Sequence, residues 1–307
     1  MKRFCLFLIT TLLLISCGRS EEATVSIADE EVADDSTTVR VAVLPTLDCL
    51  PLFLASEHGF FQRAGVNVRL VPFTAQMDCD TAFESRRVDA MVTDIVRAER
   101  LVKHQVPLDY LTTTNTQWQL LTSKTARIRQ LKQLDDKMLA MTRFSATDLL
   151  GDLVVDSARL QPERVFRIQV NDLAIRLNML EVGIMDAVLL PEPQATAARN
   201  QKAYRVMPDV AQAFDLQLGA VAMRPQSFTA DQQAAFIKAY DEACDSINAN
   251  GLDHYRQLII RRMGAKNLTV DSLPATYTFN HATQPREQDL KRVRQWLEKK
   301  DVRIDVD

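Results

Sequence analysis

Two aspartate-cysteine pairs stand out among the residues able to do chemistry. The stretch "TLDCLP" at 46–51 carries Asp48 and Cys49, and "AQMDCD" at 75–80 carries Asp78, Cys79 and Asp80. Thiols and carboxylates in this arrangement can form a disulfide, ligate a soft metal ion, or supply a nucleophile with its partner. No CxxC or HxxxH spacing accompanies them. The four histidines, His58, His104, His254 and His281, fall in none of the loops that hold the pairs. A metal site built from Asp48, Cys49, Asp78 and Cys79, with His58 in reach, and a Cys49 nucleophile beside Asp48 both stay open as alternatives. No GxSxG, P-loop or dinucleotide fingerprint occurs.

The elements around these residues alternate. "TTVRVAVLP" (37–45), "VNVRLVPF" (66–73) and "DAMVTDI" (89–95) read as strands, with helix-like "PLFLASEHGFF" and "CDTAFESRRV" between them. The strands "PLDYLTTT" and "WQLLTSK" follow. The same grammar restarts near Lys137: "KMLAMTRF", "VFRIQV" and "IMDAVLLPEP" as strands, "SATDLLGDLVVDSARL" and "NDLAIRLNMLEVG" as helices. Strand and helix in alternation predict mainly parallel sheets covered by helices, the α/β class, and two runs in series predict two lobes. "LQLGAVAMRP" (216–225) is a further strand. The segment 229–250 is an amphipathic helix capped by Thr229 and closed at Gly251.

In such sheets ligands bind beyond the carboxyl ends of the strands. That rule selects Asp48, Asp78, Thr93 and Asp94 from the first run and Arg143, Ser145, Thr147 and Glu192 from the second. For Asp78, Asp80 and Asp148 plain helix capping is the simpler role. Asp48, Asp94 and Glu192 together favour a cationic or amine-bearing ligand, because an unpaired buried carboxylate is costly. Arg143 serves either as a counter-charge that locks the lobes or as a fork for a ligand anion. Trp118 either stacks on a flat ring or packs in the core.

Two positive charges in Met1–Arg3 and an apolar run from Phe4 to Ile15 read as a secretory signal. "LISCG" (14–18) resembles the lipobox of bacterial lipoproteins, which implies cleavage after residue 16 and lipid on Cys17. Residues 17–38, acidic and without aromatics, read as a tether. The formal net charge of −3, with 37 basic against 40 acidic side chains and no basic stripe, gives no reason to expect nucleic acid as a partner.

The order of local patterns resembles the substrate-binding proteins of ABC importers, in the nitrate, sulfonate, taurine and thiamine-precursor group. The stretches that carry it are "PLFLASEHGFFQRAGVNVRLVPF", "RRVDAMVTD", "IRQLKQLDDKMLAM" and "IMDAVLLPEPQATAA". The resemblance implies a two-lobed type II periplasmic-binding-protein fold that closes on a small solute, each lobe a mainly parallel sheet flanked by helices and joined by two crossover strands. The expected boundaries are 39–123 with 219–307 for the first lobe and 124–218 for the second. Members that bind oxyanions carry glycine-rich turns after strands three and four. This chain has "VTDIV" and "TTTNTQ" there and eight glycines in all, which favours a nitrogen-containing or heterocyclic solute, such as a thiamine-precursor-like pyrimidine.

In that topology the two aspartate-cysteine loops are neighbours, and an exported protein meets an oxidising compartment, so a Cys49–Cys79 disulfide is expected. Cys244 is expected to be a buried structural thiol. The whole reading is a lipid-anchored receptor at the cell envelope, a monomer without cofactor, that passes its solute to an ABC permease and is not an enzyme. A metal receptor and a fold-related enzyme of cofactor biosynthesis are the alternatives.

Overall fold

The computed structural model describes residues 37–304. The signal, Cys17 and most of the tether lie outside the described residues. Five strands form the first sheet: β1 (Val39–Val43), β2 (Val68–Pro72), β3 (Ala90–Asp94), β4 (Asp109–Thr113) and, from far along the chain, β10 (Gly219–Met223). Their order is β2-β1-β3-β10-β4. Five more, β5 (Gln119–Thr122), β6 (Lys137–Met141), β7 (Val165–Gln169), β8 (Ala187–Leu190) and β9 (Tyr204–Met207), form the second, ordered β7-β6-β8-β5-β9.

The two sheets repeat one plan. β1 pairs in parallel with β2 and β3, and β6 in parallel with β7 and β8. One antiparallel strand is inserted in each, β10 between β3 and β4 and β5 between β8 and β9. Each inserted strand has just crossed from the other lobe, β5 after residues 114–118 and β10 after 208–218. β3, β5, β8 and β10 are buried along their whole length, as strands covered on both faces must be, so they read as apolar runs with little alternation.

Two expected boundaries move. "WQLLTSK", assigned to the first lobe, supplies β5 of the second sheet, so the crossover falls at 114–118 and not after 123. The final helix, Glu287–Ile304, assigned to the first lobe, packs Leu290, Val293 and Leu297 into a core shared with Leu149 and Leu150 of the second. On its other flank Arg294 pairs with Glu99 of the first lobe at 2.6 Å, while Lys300 reaches Asp148 at 2.9 Å. This helix therefore straddles both lobes.

Apart from that shared core, each lobe has its own. Phe61, Phe83 and Phe236 fill the first, with Phe61 and Phe236 stacked at 5.2 Å. Leu121, Leu190 and Ala195 help fill the second. The helix Ala230–Asn250 starts at Thr229 in a capping box with Gln232 and stops at Gly251, whose φ of 79° admits glycine most readily. Among the described residues no helix is long and apolar enough to cross a membrane.

Candidate functional site

The carboxyl ends of both sheets converge on one cavity, lined by residues of both lobes. Its first wall is the turn after β1, where residues 47–49 wind into a single 3-10 turn and bury Asp48. The Asp48 Oδ2 accepts hydrogen bonds from Thr114 Oγ1 at 2.9 Å and Thr116 Oγ1 at 2.5 Å. Its Oδ1 is buried with no partner among the described residues. Gly219 makes this arrangement possible: a Cβ there would collide with the hydroxyls of both Thr114 and Thr116.

Thr93 and Asp94 close β3 beside it. Asp94 caps the helix Ile95–Lys103, accepting the Arg97 amide at 3.0 Å. Burial pushes its carboxyl up to about 6, against the pull of the Arg97 guanidinium and the amides of Ala146 and Arg97. Ala146 begins a helix of the opposite lobe.

The second wall is a hydroxyl cluster after β6. Ser145 donates to the Thr142 carbonyl at 2.7 Å and accepts the Thr147 amide at 3.1 Å, and Thr147 Oγ1 accepts the Thr142 amide at 2.9 Å. Beside it lies Arg176, only 1% exposed. Its guanidinium donates to the carbonyls of Val170 at 3.0 Å and Leu189 at 2.9 Å and to Thr142 Oγ1 at 2.7 Å. Among the described residues no carboxylate forms an ion pair with it, and burial lowers it to about 10. Trp118, Leu44, Val92 and Pro191 give the cavity an apolar side.

The two walls are drawn together. Leu47 donates its amide to the Glu192 carbonyl at 2.8 Å, Gln194 Nε2 donates to the Pro45 carbonyl at 2.8 Å, and Ala75 and Asp172 form an antiparallel bridge between the lobes. The arrangement is a closed cleft.

Of the residues selected from the sequence, Asp48, Thr93, Asp94, Trp118, Ser145 and Thr147 line the cavity. Three do not. Asp78 is exposed on the helix Gln76–Glu84. The Arg143 side chain points to solvent, and only its carbonyl takes part, accepting from Arg97 Nη1 at 3.4 Å. Glu192 is buried, but Gln119 Nε2 at 2.6 Å, Arg199 Nη2 at 3.2 Å and the Thr196 amide at 2.9 Å occupy its carboxylate. Of the three positions where capping was the simpler role, none caps a helix: Asp78 makes no cap bond, Asp80 pairs with Arg97, and Asp148 accepts the Phe144 amide and Lys300. Arg176 and Asn171 line the cavity without having been selected. Each follows β7, and a search of every loop after a parallel strand would have included Asn171.

The expected disulfide is not present: Cys49, Cys79 and Cys244 are buried free thiols. The Cys49 sulfur lies 3.5 Å from Thr46 Oγ1, and it and Cys79 pack among Leu50, Phe53 and Phe83 as small apolar groups. Burial, reinforced by Asp48, pushes the Cys49 thiol well above its ordinary range, and burial with Asp80 does the same to Cys79. A protonated, enclosed thiol is a poor nucleophile and a poor metal ligand. Among the described residues no three metal-ligating side chains come together, so the metal arrangement of Asp48, Cys49, Asp78 and Cys79 does not form.

No curated protein matches the chain. Solved structures share its fold. An alkanesulfonate-binding protein from Xanthomonas axonopodis pv. citri, bound to MOPS, superposes with a TM-score of 0.73 at 15% identity, covering 85% of this chain and 91% of that one. The zinc-bound ligand-binding component of an ABC-type import system from Staphylococcus aureus gives 0.71 at 14% identity, covering 87% and 92%. The periplasmic nitrate-binding protein of Synechocystis PCC 6803 gives 0.66 at 15% identity, covering 82% and 74%. The two-lobed binding-protein fold expected from the sequence is the fold observed. The family profile matches residues 33–250, most of the chain, and on that match the protein belongs to the NMT1-like family.

Proposed function

We propose that this chain is the solute receptor of an ABC-type importer, tethered to the envelope membrane by lipid on Cys17, working as a monomer and delivering its solute to a permease. The observation that carries this reading is the cavity: polar side chains from the carboxyl ends of both sheets converge on it, and backbone hydrogen bonds across the lobes hold it shut. Hinge closure around a ligand is an established use of two such lobes. The fold shared with import-system binding proteins supports the same reading.

The solute is small, polar and nitrogen-bearing. Asp48 offers a buried carboxylate oxygen that only a donor satisfies. The helices that begin at Ile95 and Ala146, both opening on the cavity, each have a first-turn amide taken by a side-chain cap, Asp94 in one and Ser145 in the other, which leaves fewer donors there for an oxyanion. Trp118 supplies a flat apolar face on which a ring can rest. We assign no catalytic step to the cleft: its thiols are enclosed and no histidine lines it.

Thermal melting of the chain with and without a low-molecular-weight extract of its source cells tests the proposal. A ligand that binds only the native state raises the melting temperature by mass action, by an amount that grows with its concentration. Melting that no fraction of the extract shifts would contradict the receptor role.

A further inference from the structure

Two buried charges face this cavity and neither forms a direct ion pair among the described residues, although Asp172 lies near enough to Arg176 to act on it through space. On the first lobe, Asp48 is 4% exposed, and its Oδ2 is saturated by Thr114 and Thr116 while Oδ1 has no partner. On the second, Arg176 is 1% exposed and held by the carbonyls of Val170 and Leu189 and by Thr142 Oγ1. Those acceptors fix the guanidinium in place but are neutral. Nη1 donates a single bond, to Leu189, although it carries two hydrogens. An ion without a directly paired counter-charge in a low-dielectric site is costly, and a ligand of opposite charge reduces that cost.

We infer that the solute is two-headed, with an ammonium or amidinium group directed at Asp48 Oδ1 and a carboxylate, sulfonate or phosphonate group directed at Arg176. The inference rests on the receptor reading and narrows it. The apolar side of the cavity, Trp118 with Leu44, Val92 and Pro191, takes the short segment joining the heads. Because one head belongs to each lobe, a two-headed solute links the lobes, whereas a one-headed solute engages only one wall. Such a receptor recognises the distance between charges as well as their signs.

The probe is a matched series measured by calorimetry and thermal shift on the unmodified chain: ω-amino carboxylates and ω-amino sulfonates of two to six carbons, flat aromatic amino acids, and for each the amine alone and the anion alone. The expected result is that at least one two-headed compound binds, at least tenfold more tightly than either one-headed counterpart. Asp48→Asn should weaken that compound about 10- to 100-fold, the range lost with a charge-assisted hydrogen bond, with less effect on its anion-only counterpart. Arg176→Lys, which keeps the charge, should retain more affinity than Arg176→Gln, and circular dichroism establishes that each variant is folded.

Equal binding of a one-headed compound, or no binding anywhere in the two-headed series, overturns the inference. Failure of the receptor reading is a separate result, because it would leave the protein with no small solute of any chemistry when it is challenged with a cell extract. A bound extract solute carrying one charged group would leave the receptor standing and sink the two-headed solute.

Discussion

Gln194 of the second lobe donates its side-chain amide to the Pro45 carbonyl of the first at 2.8 Å, close to where Leu47 donates to the Glu192 carbonyl at the same distance. Together these bonds fasten the lobes at the turn that carries Asp48. Gln194 itself lies outside the cavity, and its removal leaves the lining intact.

Gln194→Ala therefore acts on closure alone. A neutral hydrogen bond contributes about 1 kcal/mol, which corresponds to roughly a fivefold change in an equilibrium. Solute dissociation followed by stopped flow should quicken by about that factor while association changes little. Unchanged dissociation would show that this bond does not hold the cleft shut.

Gly219→Ala places a methyl group against the Thr114 and Thr116 hydroxyls. Overpacking of this kind costs typically 1–3 kcal/mol, and here it also displaces the two donors that orient Asp48. Chemical denaturation should register the loss, and solute affinity should fall with it. A variant as stable as the parent, with full affinity, would mean that the crossover moves aside freely.

Much of this site is legible in the sequence because it follows strands directly. Thr93 and Asp94 end β3, Asp48 sits one turn past β1, and Ser145 and Thr147 open the helix after β6, so the rule that ligands gather at carboxyl ends selects them. Arg176 escapes the rule. It stands inside the helix Leu173–Glu181, and its place in the cavity depends on the carbonyls of Val170 and Leu189, which lie at or just past the ends of neighbouring strands and which no side-chain pattern marks as its partners. Glu192 fails for the opposite reason: it follows β8 as required, but Gln119 and Arg199 from elsewhere in the fold take its charge.

The fold shows the same division. Parallel strands betray themselves through apolar runs between helices, but which sheet a crossover strand joins is decided by its partners. Nothing in "WQLLTSK" says that it pairs with β8 and β9. β9 itself, four residues long with Tyr204 and Arg205 exposed, is an edge strand too short and too polar to stand out.

Asp94 gives the cleft a pH signature. Its carboxyl is raised to about 6 in the folded chain, against about 3.9 when unfolded. Between those values the folded state keeps a proton that the unfolded state has released. This residue's contribution to stability is therefore greatest below the unfolded value and declines as the pH rises to about 6. The decline is on the order of 3 kcal/mol at most. Asp94→Asn should flatten the stability profile over that interval and gain more, relative to the parent, at pH 7 than at pH 4. Parallel profiles for the two proteins would contradict the assignment.

The thiols make a further prediction. Cys49 and Cys79 are enclosed and protonated, so a thiol reagent should leave both unmodified in the native protein. After unfolding without reductant, each should alkylate fully, as should Cys244. Peptide mapping that recovers Cys49 joined to Cys79 would refute the free-thiol structure.

Native mass spectrometry tests the central claim most directly, applied to a soluble chain beginning after Cys17, exposed to a cell extract and freed of unbound solute. The account predicts a single small adduct at one-to-one stoichiometry, lost on denaturation and reduced in Asp48→Asn. A chain that emerges at its bare mass from every extract fraction would contradict it.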